Sequence, residues 1–337
     1  KLLTQLFGER LVIANATGCS SIYGASSPST PYSVPWANSL FEDNAEFGYG
    51  MKIADEVKKQ QLKNIINENI SKVDEEEKDI YLDYVKDINI NTAKALLSVI
   101  PHTKIKPLKS LKRYIMPISL WAVGGDGWAY DIGYNGIDHV LNSGENVNIL
   151  VLDTEVYSNT GGQASKSSKL GAVCKFASNG KKTAKKDLLK IALTNPNVYV
   201  GAISMGANPA SCVKVLLEAE EYNGPSIIVA YAPCIAWGIL KGMNNSINEE
   251  KFATSSGYFP IFHYNPLTKE FKMDAKSDFS KYQEYLNSED RFKSLNIINK
   301  DEADTLLKEN EENAKERYNY YQSLEEKNKI KSSNHMT

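Results

Sequence analysis

The sequence predicts an α/β protein with a mostly parallel sheet and helices on both faces. Short apolar runs alternate with helical patterns across residues 119–235, and this alternation is typical of βαβ units. The strand candidates are SLWAV, VNILVLDT, VYVGAISM and PSIIVAYAPC, and the helix candidates span about 129–142, 185–194 and the segment SCVKVLLEAEEY. In this architecture ligands bind beyond the carboxyl ends of the strands, where Asp126, Thr154, Ser204 and Cys234 are expected.

Four zones follow one another along the chain. Residues 1–50 are loop-rich, with little helix or strand of their own, and residues 51–118 are charged and helical. Residues 119–240 form the predicted α/β core, and residues 241–337 form an extension that ends in a charged helical tail. Loops as long as the first zone are usually functional or disordered, and its many aromatic residues favour order. We expect the whole chain to be one domain of a larger enzyme.

Composition narrows the class of protein. The chain has 337 residues, of which 42% are hydrophobic and 24% are charged, with 39 Lys and Arg against 41 Asp and Glu. This balance gives no case for binding nucleic acid or an anionic membrane, and no apolar run is long enough to predict a membrane span. Four cysteines in so long a chain favour a reducing compartment, the cytoplasm or an organelle. The chain begins at Lys1 without a signal-like segment, which is typical of an excised piece of something longer.

The stretch GGDGWAYDIGYNG predicts a diphosphate–metal site. Asp126 follows one predicted strand, and Thr154 ends the next, 28 positions later (154 − 126), with the Val156 carbonyl two residues beyond. A carboxylate, a hydroxyl and a carbonyl are the hard oxygen ligands that Mg²⁺ prefers. The following helix start favours a phosphate, and glycines at 124, 125 and 127 let the backbone approach it. We expect Asp126 to be exposed, because its partner is a cation that arrives with a ligand.

These residues resemble those of a known family. Gly125-Asp126-Gly127, then 26 residues (128–153), then Thr154 and a loop carbonyl, is similar to the thiamine-diphosphate-binding motif. Many such enzymes have Asn where this chain has Thr154, and Thr at this position is typical of pyruvate:ferredoxin oxidoreductases. The segments ANATGCSSIYG, PWANSLFEDNAEFGYGM, GKKTAKKDL and IVAYAPCIAWG resemble the same enzymes, so the likeness covers roughly residues 1–300. Pyruvate:NADP⁺ oxidoreductases carry a similar segment fused to a flavin reductase.

The resemblance implies specific site residues. It implies the thiamine-diphosphate-binding fold, with Mg²⁺ held by Asp126, Thr154 and the Val156 carbonyl, and Asn159 facing the reacting carbon. The residues implied to line the cofactor are Cys19, Gly125, Asp126, Gly127, Trp128, Thr154, Glu155, Val156, Tyr157, Ser158 and Asn159. The implied reaction is oxidative decarboxylation of pyruvate with coenzyme A to acetyl-CoA and CO₂. From the residues alone, Asn159 is equally a loop amide that caps its own turn.

The resemblance also implies an electron-transfer partner. In the family a four-iron, four-sulfur cluster beside thiamine is held by four thiolates, and Cys19 and Cys234 match two of them. The other two are expected upstream of Lys1, so we expect this chain alone to lack an intact cluster and not to turn over pyruvate. Cys174 and Cys212 match no ligand position and are predicted to be buried, unreactive thiols. Ferredoxin, flavodoxin or a fused flavin reductase would accept the electrons, and a homodimer is expected.

Several alternatives remain at this point. The substrate could be another 2-oxo acid, such as 2-oxoglutarate or a branched-chain acid. The chain could instead be a non-catalytic module between domains, or a flavodoxin-type nucleotide-binding domain. A lysine-rich stretch is either a solvated face or a landing site for coenzyme A or an acidic electron carrier. Its members are Lys166, Lys169, Lys175, Lys181, Lys182, Lys185, Lys186 and Lys190.

Overall fold

One sheet organises the part of the chain that the structure describes, residues 1–24 and 36–334 of a computed structural model. Its strands are β1 (Leu11–Ala16), β2 (Trp36–Ser39), β3 (Ser119–Gly125), β4 (Asn148–Asp153), β5 (Tyr199–Ile203), β6 (Ser226–Tyr231), β7 (Phe262–Asn265) and β8 (Glu270–Met273). They lie in the order β2-β1-β3-β4-β6-β5-β7-β8. The pairs from β2 to β5 are parallel, and β7 and β8 add an antiparallel edge. The predicted mostly parallel sheet is confirmed.

Helices cover both faces of this sheet, as predicted. They are α1 (Leu2–Phe7), α2 (Cys19–Gly24), α3 (Asn44–Asn69), α4 (Glu75–Lys86), α5 (Ile90–Val99), α6 (Lys106–Ser110), α7 (Tyr134–Ser143), α8 (Leu188–Ala192), α9 (Pro209–Glu221), α10 (Ser246–Ser255), α11 (Tyr282–Leu286), α12 (Asp290–Lys293), α13 (Leu295–Ile298) and α14 (Lys300–Asn334). Helices α1 and α9 pack on one face through Phe7 and Val215, and α7 packs on the other through Ile137. Helices α3 to α6 enclose a third apolar cluster of their own. None of the described helices is both long enough and apolar enough to cross a bilayer.

The first zone contributes more regular structure than its composition predicts. Strand β1 lies inside the sheet between β2 and β3, and α3 begins at Asn44, before the predicted start of the helical region. Residues 25–35 of the predicted loop lie outside the described part of the chain. Strand β1 is short and carries a buried polar residue, Asn15, which bonds Asn38 and Ser20 at 3.0 and 2.8 Å. A buried asparagine interrupts the apolar pattern on which strand prediction depends.

The helix after Asp126 is broken rather than continuous. A π-helix spans Gly127–Ile132, and α7 begins only at Tyr134. Near the end of the π-helix, Asp131 has non-helical φ and ψ of −116° and −105°. A Cβ on Gly133 would lie 2.3 Å from the Phe41 carbonyl oxygen, so this residue must be glycine for the chain to pass. The predicted single helix over 129–142 is therefore corrected to two segments with a break imposed by neighbouring backbone.

The C-terminal extension is part of the core. Tyr321 on α14 packs against Phe262 of β7 with ring centroids 4.1 Å apart. Asn310, also on α14, is buried and donates to the Leu170 carbonyl at 2.7 Å. The helical tail is thus confirmed as a helix. Its contacts fix it to the antiparallel edge of the sheet and to the loop between β4 and α8.

A buried carboxylate ties α10 to the end of β5. Glu250 accepts hydrogen bonds from the Ser204 hydroxyl at 3.1 Å and from the Gly206 N–H at 2.7 Å. Ser204 is fully buried and lies at the predicted rim of the sheet, but its hydroxyl serves this structural contact. A Cβ on Gly206 would lie 2.2 Å from the Ile247 carbonyl oxygen. The close approach of two backbone segments explains the glycine here.

Replacement of Gly206 by Ala should therefore destabilise the protein by about 1–3 kcal/mol, because α10 must move away from the sheet. Gly50→Ala is the matched control, since a Cβ there meets no neighbouring atom within 4 Å in the exposed face of α3. Alanine in a helix interior should stabilise by about 0.5–1 kcal/mol relative to glycine. Urea denaturation of both variants measures the two free energies of unfolding. If both substitutions raised the free energy of unfolding, or both lowered it, the packing described for α10 would be contradicted.

Candidate functional site

A pocket of about 510 Å³ opens beyond the carboxyl ends of β3, β4 and β6. The N-terminal zone closes one side of it through residues 17–20 and Phe41. Among the predicted cofactor residues, those that line the pocket are Cys19, Gly125, Asp126, Gly127, Thr154, Val156, Tyr157, Ser158 and Asn159, with Cys234 beside them. Strands β3 and β4 are parallel neighbours with Gly125 opposite Leu152, so their ends present these residues side by side. The sheet thus brings together most of the site that the sequence predicts.

The three predicted magnesium ligands converge on one point. The Thr154 hydroxyl lies 2.8 Å from an Asp126 carboxylate oxygen and 2.9 Å from the Val156 carbonyl oxygen. One hydroxyl carries one proton and can donate to only one of these acceptors at a time. A carboxylate, a hydroxyl and a carbonyl that face one another fit a hard divalent cation, which prefers oxygen ligands.

Asp126 is buried, with 1% of its surface exposed, which corrects the expectation of an exposed carboxylate. Burial, and then the nearby Asp153 carboxylate, raises the pKa of Asp126 to about 7. Ser165 donates to its second oxygen at 2.5 Å, but within the described residues no Lys, Arg or His forms a salt bridge with Asp126. A buried carboxylate without a cationic side chain is a costly group that a bound cation would stabilise.

The glycines around Asp126 serve different purposes. A Cβ on Gly124 would lie 2.5 Å from the Trp128 ring, and a Cβ on Gly127 would lie 2.3 Å from the Tyr157 ring. These two glycines are needed for packing inside the protein. A Cβ on Gly125 would meet no atom closer than the Leu152 carbonyl oxygen at 3.9 Å, although Gly125 lines the pocket. Its missing side chain leaves space for a ligand, which fits the predicted approach of a diphosphate to the backbone.

Two of the predicted cofactor residues do not line the pocket. Trp128 is fully buried in the main apolar cluster, where it supports the turn rather than a ligand. Glu155 is 1% exposed and points into the protein, where it meets Lys185 at 2.9 Å and Arg291 at 3.0 Å. Although burial alone would raise it, Lys185, Arg291 and Lys169 hold the pKa of Glu155 well below its usual range. Neither residue lines the pocket in this structure, and their assignment as cofactor-lining residues stays a prediction.

The lysine-rich stretch divides into four exposed lysines, Lys166, Lys175, Lys182 and Lys190, and four that are partly or fully buried. Lys185 is buried between Asp153 at 2.5 Å and Glu155, and Lys169 donates to the Tyr258 carbonyl with its Nζ 3.3 Å from the ring centroid of Tyr258. The remaining contacts are made by Lys166 with Asp131, Lys181 with the Ser168 carbonyl, Lys182 with Glu302, Lys186 with the Tyr130 carbonyl and Lys190 with the Tyr320 ring. Only the exposed lysines, such as Lys175, can form a solvated face or a landing site for coenzyme A or an acidic electron carrier.

The two predicted cluster cysteines lie at the same end of the pocket. Cys19 Sγ is 3.2 Å from the Ser158 hydroxyl and 4.0 Å from Asn159 Oδ1, and Ser158 also interacts with the Cys234 thiol. Asn159 is exposed and lines the pocket. Across the described residues no three His, Cys, Asp or Glu side chains come together as a metal-binding group.

Sequence reasoning missed the residues that hold the 154–156 turn from behind. They are Ser167 and Ser168, Lys185, Trp237, Tyr258 and Arg291. Their separation from the turn reaches 136 positions for Arg291 (291 − 155), and none belongs to a local motif around Thr154. The GKKTAKKDL segment did point to Lys185, but as part of a surface stretch.

Comparison with known proteins defines the class to which this site belongs. Residues 116–230 match the family described as thiamine pyrophosphate enzyme, C-terminal TPP binding domain. The matched residues begin just before β3 and end within β6, so they contain Asp126, Thr154 and Val156. The chain therefore carries a thiamine-pyrophosphate-binding domain.

Particular relatives extend the similarity to nearly the whole chain. The chain is 43% identical to pyruvate dehydrogenase [NADP(+)], mitochondrial, from Euglena gracilis over 100% of its length and 20% of that protein. It is 44% identical to pyruvate:ferredoxin oxidoreductase from Moorella thermoacetica, over 97% of the chain and 30% of the relative. It is 45% identical to pyruvate-flavodoxin oxidoreductase from Trichormus variabilis, over 96% of the chain and 29% of the relative. The resemblance predicted from the sequence is confirmed, and the chain spans less than a third of these oxidoreductases.

The thiols outside the pocket differ in accessibility. Cys212 is 2% exposed, and burial raises the pKa of its thiol to about 11. Cys174 is only half-buried, which corrects its predicted full burial, and burial raises the pKa of its thiol too.

We expect Cys212 to be the slower of the two to alkylate, because the thiolate is the reactive form and is rare at pH 8 when the pKa is near 11. Iodoacetamide labelling of the native protein, read by peptide mass spectrometry, measures both rates. Cys174→Ser should remove one early-labelled site, and Cys212→Ser should remove none. Early labelling of Cys212 without denaturant would contradict the burial described here.

Proposed function

We propose that this chain is the thiamine-diphosphate- and Mg²⁺-binding part of a 2-oxo-acid oxidoreductase. Its reaction is the oxidative decarboxylation of pyruvate with coenzyme A to acetyl-CoA and CO₂. The electrons pass to a four-iron, four-sulfur cluster and on to ferredoxin, flavodoxin or a flavin reductase. The relatives named above support pyruvate as the substrate, and their greater length supports a role for further domains.

The convergence of Asp126, Thr154 and the Val156 carbonyl carries this proposal. These oxygens would hold Mg²⁺, and the open backbone at Gly125 would receive the diphosphate that shares the metal. When bound, thiamine diphosphate supplies the nucleophilic carbon and the electron sink that decarboxylation of a 2-oxo acid requires. Among the described residues, Asp126 forms no salt bridge with a basic side chain, and this favours a cation-binding site over a non-catalytic module.

The chain's own residues then have separate tasks. Asn159 presents a neutral amide that can donate a hydrogen bond to the carbonyl oxygen of the 2-oxo acid without acting as a competing base. Cys19 and Cys234 would supply two of the thiolates for the iron–sulfur cluster, at the end of the pocket where Ser158 lies.

The direct test of this function is calorimetric titration of the full-length protein with thiamine diphosphate, with and without Mg²⁺. We expect Mg²⁺-dependent binding that Asp126→Ala weakens by more than about 100-fold, since even residues that only support metal ligands cost 10–100-fold when replaced. Asp55→Ala is the control, because it removes a buried carboxylate that pairs with Lys59 in the helical region.

Two results would argue against the proposal. One is binding by Asp126→Ala at the wild-type affinity, and the other is an absence of binding to a folded wild-type protein that was purified free of cofactor. Loss of binding in Asp55→Ala as well would mean that the effect reports general instability rather than a lost metal ligand.

Gly125→Ala tests the space reserved for the diphosphate. The added methyl meets no protein atom closer than 3.9 Å, so the melting temperature should change little, while cofactor affinity should fall because the methyl occupies the pocket. Gly127→Ala is the contrasting variant, since its methyl must displace the Tyr157 ring and should lower the melting temperature. Thermal denaturation without cofactor and calorimetry with it separate the two effects. Unchanged affinity in Gly125→Ala would place the diphosphate elsewhere.

A further inference from the structure

The 154–156 turn has a conformation that its own residues do not favour. Glu155 has a φ of 56°, in the left-handed region that residues other than glycine rarely adopt. Such a residue costs of the order of 1–3 kcal/mol and persists only where the surroundings hold it. The turn carries two of the three oxygens of the proposed metal site, so whatever holds Glu155 also sets their positions.

Two hydrogen bonds hold the backbone of the turn. The Trp237 indole N–H donates to the Thr154 carbonyl at 2.7 Å, and the Ser168 hydroxyl donates to the Glu155 carbonyl at 2.5 Å. These bonds direct both carbonyls away from the pocket. The Val156 carbonyl is left to face the Thr154 hydroxyl at the convergence point.

Three further groups hold the Glu155 side chain. Arg291 lies 3.0 Å from Oε2, the Tyr258 hydroxyl donates to the same oxygen at 2.6 Å, and Lys185 binds Oε1 at 2.9 Å. The carboxylate is completely covered, so each of these contacts is made away from water. Ion pairs and hydrogen bonds in such surroundings are strong only when every partner is present.

Arg291 joins the two sets of contacts. Its guanidinium lies 4.4 Å from the centre of the Trp237 ring, and it donates to the Tyr258 hydroxyl at 3.0 Å. Glu289 accepts from its Nε at 2.6 Å and orients the guanidinium plane. Arg291 therefore contacts Trp237, which holds the backbone of the turn, and Tyr258, which holds the Glu155 side chain. We call Trp237, Tyr258 and Arg291 the clamp.

We propose that Arg291, acting through Glu155 and Trp237, is a positioning residue that preorganises the 154–156 turn for Mg²⁺. This inference rests on the proposed function, because it concerns the same metal site. The clamp lies beyond residues 116–230, which match the thiamine-pyrophosphate-binding family, and two of its three members, Tyr258 and Arg291, belong to the C-terminal extension. Arg291 is not among the residues that line the pocket, so it would act only on the geometry of the oxygens that hold the metal.

The test compares variants of the full-length protein in their Mg²⁺ dependence of thiamine diphosphate binding. Arg291→Met should raise the Mg²⁺ concentration for half-maximal binding by about 10–100-fold, the usual effect of losing a group that orients metal ligands. Arg291→Lys should recover part of this loss, because it restores the charge but cannot reach Glu155, Glu289 and Tyr258 together. The spectrum of bound Mn²⁺, recorded by electron paramagnetic resonance, should broaden in Arg291→Met as the ligand geometry becomes less uniform.

Arg317→Met is the matched control. Arg317 is a partly buried arginine of the C-terminal extension, with 15% of its side chain exposed, and it pairs with Asp187 at 3.3 Å. Its loss should lower the melting temperature without changing the Mg²⁺ concentration for half-maximal binding. Trp237→Phe is a second variant at the turn, since it removes the N–H bond to Thr154 and keeps an aromatic ring under Arg291.

Each outcome decides between the two proposals. Wild-type Mg²⁺ dependence in both Arg291→Lys and Trp237→Phe, with wild-type Mn²⁺ spectra, would overturn the clamp and leave the proposed function intact. Absence of Mg²⁺-dependent binding in the wild-type protein would instead overturn the proposed function. If Arg291→Met does not fold, Arg291→Lys and Trp237→Phe decide alone, and the half-saturating Mg²⁺ concentration is expected to exceed the wild-type value in each.

Discussion

The buried carboxylate of Glu155 is the group on which the pocket depends. Its ion pairs with Lys185 and Arg291 connect the end of β4 to the loop before α8 and to the C-terminal extension. Burying charges is costly, and loss of one partner from a buried pair typically costs about 3–5 kcal/mol because the other charge is left uncompensated. The three segments are therefore held in one arrangement, and the turn that carries Thr154 and Val156 has little freedom to differ from it.

The same network explains why Asp126 suits a cation. Asp153 and Glu155 lie nearby, and Lys185 pairs with both. Within residues 1–24 and 36–334, the hydrogen bonds to Asp126 come from two hydroxyl groups, those of Ser165 and Thr154. The lysine and arginine thus neutralise the supporting carboxylates and leave the carboxylate at the pocket for a ligand. Asp153 and Glu155 pair with basic side chains inside the protein, whereas Asp126 faces the pocket.

The sequence was sufficient for the parts of the fold and site that local patterns encode. Parallel strands present their carboxyl ends at one edge, so the positions of Asp126 and Thr154 at two successive strand ends predicted their contact. The interior strand β1, the break near Asp131 and the burial of Asp126 were not predicted, because each depends on residues that are distant in the sequence. Arg291 has no distinguishing local pattern, and Lys185 lies among exposed lysines, although its side chain is only 6% exposed.

The choice of glutamate at position 155 shows how such distant contacts outweigh local preference. At a φ of 56° glycine would adopt the turn without strain, and many tight turns use it for that reason. Glycine, however, would leave Lys185 and Arg291 without the carboxylate that both contact, in a region that water does not reach. Lys185 would keep Asp153 and Arg291 would keep Glu289, so each buried cation would lose one of its two carboxylate partners. The strain of one left-handed residue, of the order of 1–3 kcal/mol, is smaller than the roughly 3–5 kcal/mol that loss of a partner from a buried ion pair typically costs. The shape of the turn is therefore determined by the charges behind it rather than by the conformational preference of its own residues.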